Sequence, residues 1–250
     1  MNPAIFLGEP LHWGKIKIYP PKIKDVLANP MFGIYQSLLV LSQEDIWDSI
    51  AEKQGKALGS IPENGALTPF ETLMLTCYEQ PSVKELTKQA IDFFTHEQVR
   101  IIPETKTILF TRSLEKEEQP KDLWTLNDEN FFEFQNKIRE AMGEKLLEPP
   151  NPNEHPKIAM MKAKARLRDR IKKRKGTKDS IDTVTMLGAL CCMIPGLSPL
   201  NIGEMSYPAA SFLFSMGQRK EKYETDLKVA TAGFGNKKIK PKYWVTNEKD

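Results

Sequence analysis

The chain has 250 residues, of which 40% are hydrophobic and 28% charged, and its formal net charge at pH 7 is +3. This balance excludes a disordered or fibrous protein, and the length allows one large or two smaller domains whose core needs no disulfide or metal. The three cysteines, Cys77, Cys191 and Cys192, lack the CxxC spacing of zinc and redox sites, which indicates a reducing compartment.

Targeting signals are not evident in the sequence. The first ten residues lack the basic start and apolar run of a signal peptide. No segment approaches the roughly 20 apolar residues that are needed to cross a bilayer. We therefore expect a protein of the cytoplasm that makes no membrane contact.

The opening segment predicts a short β-hairpin that ends at Pro20-Pro21. It contains the apolar run Ala4 to Leu7 and then Lys15-Ile16-Lys17-Ile18, whose alternation places the apolar groups on one face. Apolar residues at three-to-four spacing then predict two helices, one over residues 23–27 and one over residues 34–41. A third helix is expected to begin after Ser42, which has the side chain of an N-cap.

The middle of the chain alternates helix and strand signals. Thr68-Pro69-Phe70-Glu71 predicts a helix start with a cap, an early proline and an acid, and that helix should end near Glu79. A second helix is predicted from Ser82 to Thr95. Apolar residues on both sides of the turn at residues 103–106 predict a second hairpin, and the stripe from Leu126 to Met142 predicts another helix.

A proline-rich segment divides the chain into two predicted parts. Residues 148–156 contain four prolines, which disfavour helix and predict an extended linker between an N-terminal domain, 1–147, and a C-terminal region, 157–250. That region carries helix signals over 181–194 and 206–231, and an aromatic tail. The fold class expected is α+β, mostly α-helical with one or two short β-hairpins.

The segment 157–178 has the strongest charge asymmetry in the sequence. It holds eleven Lys or Arg residues and one acid, Asp169, and its formal charge of +10 leaves −7 for the rest of the chain. Three interpretations stand: backbone-directed binding of nucleic acid, pairing with an acidic protein surface, and a solvated connector. The segment contains no aromatic residue on which a base could stack, so any nucleic-acid binding would be weakly selective.

Catalytic patterns are not found in the sequence. The histidines His12, His96 and His155 are isolated from any recognisable catalytic spacing, and the phosphate-loop, dinucleotide-binding, zinc-protease and serine-hydrolase motifs do not occur. We therefore expect no enzyme activity, no cofactor, no metal site and no catalytic residue.

Both ends of the chain resemble a group of phage proteins. The residues that carry the resemblance lie in the ranges Gly14–Asp25 and Leu41–Ile46 near the start, and Leu200–Tyr207, Lys220–Tyr223 and Tyr243–Asn247 near the end. These stretches are similar to proteins encoded among the tail genes of bacteriophages of Gram-positive bacteria. Members of that group look like tail assembly chaperones or related tail and baseplate morphogenesis factors.

The resemblance implies a non-catalytic protein that binds another tail component during assembly, either a baseplate component or the tape-measure protein. It would act in the host cytoplasm as a chaperone or stay in the virion tail. The apolar face of the last helix, from Tyr207 to Tyr223, is a candidate partner surface, although residues at helical spacing such as Phe212, Leu213, Phe214 and Met216 are more often part of a core. The candidate partner-binding residues are Arg166, Arg168, Arg170, Lys172, Lys173, Arg174, Tyr207, Phe212 and Tyr223.

Overall fold

The structure, a computed structural model, describes residues 2–40, 67–111, 124–148, 161, 182–232 and 243–245. Its architecture is α+β and mostly helical. The helices of these ranges are α1 (Pro3–Leu7), α2 (Ile23–Ala28), α3 (Phe32–Val40), α4 (Pro69–Glu79), α5 (Pro81–Thr95), α6 (Asp128–Ala141), α7 (Thr183–Met193) and α8 (Tyr207–Thr231). The strands are β1 (Leu11–Trp13), β2 (Ile16–Ile18), β3 (Val99–Ile102), β4 (Thr107–Phe110) and β5 (Thr125–Leu126).

The predicted first hairpin is present as β1 and β2, which pair in antiparallel register around a turn at Gly14. Ile16 and Ile18 are buried while Lys17 is exposed, as the alternation predicts. The run Ala4 to Leu7, however, lies outside the hairpin in α1. The Asn2 side chain accepts the Ala4 N–H, and Gly8 closes the helix in a left-handed conformation, so local capping forms this short helix.

The main core is built from the hairpin, α3, α4, α5, α6 and the second sheet. The Trp13 ring lies at its centre, with its centroid 5.0 Å from that of Phe134 and 5.3 Å from that of Trp124. The same core contains Phe70 from α4 and Phe94 from α5, both fully buried. Burial of large aromatic side chains supplies most of the hydrophobic stabilisation of such a core.

The predicted second hairpin is present as β3 and β4, but the sheet has a third antiparallel strand, β5. Leu126 belongs to that strand, so the predicted helix over 126–142 begins later, at Asp128. Asn127 caps α6 by accepting the Asn130 N–H, which fixes this start. The strand depends on pairing with β4, and Leu126 is fully buried there.

A second, smaller core joins the C-terminal helices to the start of the chain. Ile23 of α2 is fully buried in it together with Met186, Leu187 and Leu190 of α7. The cluster also contains Ile202 and, from α8, Ala210, and α7 packs against α8. Helices 183–193 and 207–231 agree closely with the ranges that the sequence predicts.

Several predictions fall outside the described residues. They are the third helix after Ser42, most of the proline-rich linker and the basic segment 157–178, of which only Met161 is described. These remain predictions. Among the helices that the structure describes, none is both long and apolar enough to span a membrane.

Candidate interaction surface

The first turn of α8 is fixed to the beginning of the chain by backbone and hydroxyl contacts. Ser206 is the N-cap of α8: its Oγ accepts the Ala209 N–H at 3.3 Å and donates to the Ile5 carbonyl oxygen at 2.9 Å. The Tyr207 N–H donates to the Pro21 carbonyl oxygen at 2.8 Å. Because Ser206 is buried, its hydroxyl loses its hydrogen bonds to water when the chain folds. The hydrogen bonds to Ala209 and Ile5 compensate for that loss.

Ion pairs flank this junction on its exposed side. The Glu204 carboxylate, which lies just before α8, accepts hydrogen bonds from Lys22 at 2.8 Å and from Lys24 at 2.5 Å. The hydrogen bonds from Lys22 and Lys24 lower the pKa of Glu204 from 4.5 to about 2. Since all three groups are exposed, the pairs orient the junction more than they stabilise it.

Tyr207, the first of the three predicted aromatic contact residues, lies at the border of the two cores. It packs against both hydrophobic clusters, and its ring centroid is 5.8 Å from that of Phe32. Its side chain is half-buried. Tyr207 therefore has the environment of a packing residue.

Phe212, the second, lies on the surface one turn further along α8. Its ring is 40% exposed and makes an edge-on contact with Phe6 of α1, at a centroid distance of 6.2 Å. Phe6 is itself 40% exposed, and the adjacent Leu7 is 70% exposed. We call Phe6, Leu7 and Phe212 the α1–α8 patch.

Tyr223, the third, lies about 16 Å further along the helix from Phe212, at a rise of about 1.5 Å per residue. Its ring makes an edge-on contact with Tyr243, 5.6 Å away between centroids, so the aromatic tail contacts α8 at this point. The structure therefore does not bring Tyr207, Phe212 and Tyr223 into one site. The three residues lie at separate points along α8, and each has different neighbours.

The six basic candidates, Arg166, Arg168, Arg170, Lys172, Lys173 and Arg174, lie outside the described residues. Within the described part, no group of three or more His, Cys, Asp or Glu side chains is arranged to hold a metal ion. His12 is exposed opposite Lys17 on the first hairpin, and the His96 ring packs against the Tyr19 ring in a tilted orientation, with 4.5 Å between the ring centroids.

The sequence interpretation missed Phe6 and Leu7 as surface residues. It placed their run in the hairpin, whereas they belong to α1 and meet α8 from the other end of the sequence. A signal was available, because Asn2-Pro3 followed by Gly8 has the pattern of an N-cap, a first-turn proline and a left-handed helix end. No comparable local signal indicates that Phe6 contacts Phe212.

Comparisons of the chain with protein-family models, with curated proteins and with solved structures find no match.

Proposed function

We propose that the chain is a non-catalytic phage tail or baseplate assembly factor that acts by binding another tail protein, with the tape-measure protein as the first candidate partner. The observation that carries the proposal is the α1–α8 patch, where two aromatic rings and Leu7 are exposed together. Clustered exposed aromatic and aliphatic groups are typical of protein-binding surfaces.

Two further observations support this choice. The resemblance at both ends of the sequence is to proteins of phage tail gene clusters, and part of it, Leu200–Tyr207, forms the segment that leads into α8. The start of α8 is also fixed to α1, because the Ser206 hydroxyl donates a hydrogen bond to the Ile5 carbonyl oxygen. A surface that is already ordered loses less conformational entropy when a partner binds.

The experiment is affinity purification of the tagged chain from infected or lysogenic host cells after nuclease treatment, with the bound proteins identified by mass spectrometry. The wild-type chain is compared with Leu7→Glu and Phe212→Ala. The matched control is Leu75→Glu, which changes an exposed leucine on α4, a helix that contributes no residue to the patch. Circular dichroism spectra confirm that all variants are folded.

We expect a tape-measure or baseplate protein to co-purify with the wild type and the Leu75→Glu control. The amount of partner that co-purifies with each patch variant should fall at least about tenfold. The reason is that each substitution removes an aromatic or aliphatic side chain that would be buried against the partner. Recovery of the same partner by Leu7→Glu and Phe212→Ala in wild-type amounts would reject the patch. Absence of phage tail proteins from the wild-type sample would reject the assembly function.

A second candidate function rests on the charge of +10 over residues 157–178. Such a segment would bind nucleic acid through phosphate contacts, and the affinity would fall steeply with salt because bound counterions are released. Replacing Arg166, Arg168 and Arg170 by Gln should then weaken binding to duplex DNA of any sequence and reduce the salt slope. Binding that does not depend on salt or on these arginines would exclude this function.

A further inference from the structure

Met193, the last residue of α7, rests on a glycine of α8. A Cβ added to Gly217 would overlap the terminal methyl group of Met193 and would stand 3.2 Å from its Sδ atom. The methyl group therefore occupies the space that a side chain at position 217 would need. Gly217 lies in the interior of α8, where glycine disfavours helix, and the close approach of Met193 accounts for a glycine at this position.

The contact with Gly217 lies at the end of the packing between α7 and α8. Earlier in α7, Leu187 and Leu190 are buried in the second core, and Phe214 of α8 packs against that core. Met193 follows Leu190 by three residues, so the two lie on about the same side of α7. The last turn of α7 therefore packs against α8 partly through Met193.

Met193 can also be reached from solvent. It is 37% exposed, whereas Met74, Met142 and Met186 are buried. Among the methionines that the structure describes, Met161 is the one other that is exposed. Peroxides oxidise an accessible thioether to methionine sulfoxide, which reductases convert back. Met193 thus combines access for an oxidant with a close contact between two helices.

Oxidation would make this contact unfavourable. The Sδ atom of Met193 lies close to Gly217, and the backbone N–H groups in the interior of α8 are already bonded to carbonyl oxygens of the helix. The sulfoxide oxygen therefore finds no free backbone donor on this part of α8. A polar group without a partner is stabilised by turning to water, and that movement takes the methyl group away from Gly217.

We propose that Met193 is an oxidation site that controls the packing of the end of α7 against α8. A hydroperoxide is the oxidant: sulfur donates an electron pair to one peroxide oxygen, the S–O bond forms and the O–O bond breaks. The proton of the transferred oxygen passes to the other oxygen, which leaves as water or an alcohol. Sulfur loses two electrons and the peroxide gains two. The inference does not rest on the proposed function.

The first test treats the full chain with dilute hydrogen peroxide and follows each methionine by mass spectrometry of its peptide. Met193 should be converted to the sulfoxide at least about tenfold faster than Met74, because a buried thioether is reached only when the fold opens. Dithiothreitol then reduces any sulfenic acid or disulfide at the adjacent Cys192 and leaves the methionine sulfoxide in place.

The second test measures amide hydrogen exchange in this oxidised chain after the thiols have been reduced. Exchange should be at least about tenfold faster than in the untreated chain at the last turn of α7 and around Gly217. It should be unchanged at Ile91 of α5, which belongs to the main core. Treatment with a methionine sulfoxide reductase should restore the slow exchange.

Variants separate Met193 from the other methionines. Met193→Leu keeps an apolar side chain of similar size without sulfur, so peroxide should not change its exchange in α7 and α8. Met161→Leu is the matched control and should respond to peroxide like the wild type. Gly217→Ala should displace the Met193 methyl group and raise exchange without peroxide. Its control is Gly188→Ala in α7, where an added Cβ has no described atom within 4 Å.

Any one of three results would overturn the proposal. The first is oxidation of Met193 at a rate no higher than that of Met74 in the folded chain. The second is unchanged exchange in α7 and α8 after Met193 has been fully oxidised. The third is an equal response of Met193→Leu and the wild type to peroxide. The first two results are obtained with the unaltered chain, so they decide the matter even if a variant fails to fold.

Discussion

Gly14, in the turn of the first hairpin, lies against the indole ring of Trp124, so that a Cβ at position 14 would stand 2.6 Å from Cζ2 of that ring. Gly14 also has a φ of +56°, in the left-handed region that residues with a side chain rarely adopt. We expect Gly14→Ala to lower the free energy of unfolding by about 2–3 kcal/mol, from backbone strain together with displacement of a rigid ring. Urea denaturation followed by tryptophan fluorescence measures this loss.

The control for that experiment is Gly33→Ala, where φ is not positive and no described atom lies within 4 Å of the added Cβ. Alanine is favoured over glycine in helices by up to about 1 kcal/mol, so this variant should be as stable as the wild type or slightly more stable. Equal stability of Gly14→Ala and Gly33→Ala would contradict the proposed contact between Gly14 and Trp124.

Ser206→Ala removes the hydroxyl that connects α8 to Ile5. Two hydrogen bonds at a buried site are lost, one of them an N-cap, and we expect the free energy of unfolding to fall by about 1–2 kcal/mol. Hydrogen exchange should increase in the first turn of α8, at Ala209. Ser37→Ala is a suitable control, since that exposed hydroxyl only donates to Gly33 within its own helix. If Ser206→Ala and Ser37→Ala had the same free energy of unfolding, the contact between α8 and Ile5 would not depend on Ser206.

The pKa of Glu204, lowered from 4.5 to about 2 by Lys22 and Lys24, predicts a specific pH dependence. A carboxylate with a lowered folded-state pKa stabilises the fold fully above its unfolded value and loses that effect as the pH falls through its folded value. The stability difference between wild type and Glu204→Gln should therefore be constant above pH 4.5 and shrink as the pH falls towards 2. NMR titration of the Glu204 carboxyl carbon tests this directly, and a midpoint near 4.5 would show that the ion pairs do not form.

The cysteines should differ strongly in reactivity. Cys77 is buried, and its burial raises the pKa of its thiol, whereas Cys192 is exposed on α7. Because the thiolate is the reactive form, a thiol reagent should modify Cys192 in the native protein while Cys77 is protected until unfolding. Mass spectrometry of peptides after brief labelling distinguishes the two. Rapid native labelling of Cys77 would indicate that α4 opens readily from α5.

Elements with strong local signals could be predicted from the sequence. The start of α4 has both halves of a capping box, with Thr68 and Glu71 exchanging hydrogen bonds, and Ser206 caps α8 as its sequence suggests. The short strand β5 could not be predicted, because its two residues form a strand only through pairing with β4. Its neighbour Asn127 does provide a helix-start signal, which places α6 after Leu126 rather than on it.

The candidate surface was harder to predict from the sequence than the fold. Phe212 could be singled out as an aromatic residue of an apolar helix, but helical spacing does not separate it from Phe214, which packs against the second core. The exposure of Phe212 depends on which sides of α8 are covered by α7 and by α1, and helical spacing alone does not indicate these contacts. Phe6 joins the patch for the same reason.

The junction at Ser206 also sets an order of events during synthesis. Lys24 and Glu204 are separated by 180 positions in the sequence. The residues that cover Ile23 lie at a similar distance after it in the sequence. At roughly 5–20 residues per second, the ribosome needs roughly 10–40 s to supply them. The N-terminal part of the chain is therefore synthesised well before the helices that cover it, and a ribosome that stops before Thr183 releases a product in which Ile23 lacks its native cover.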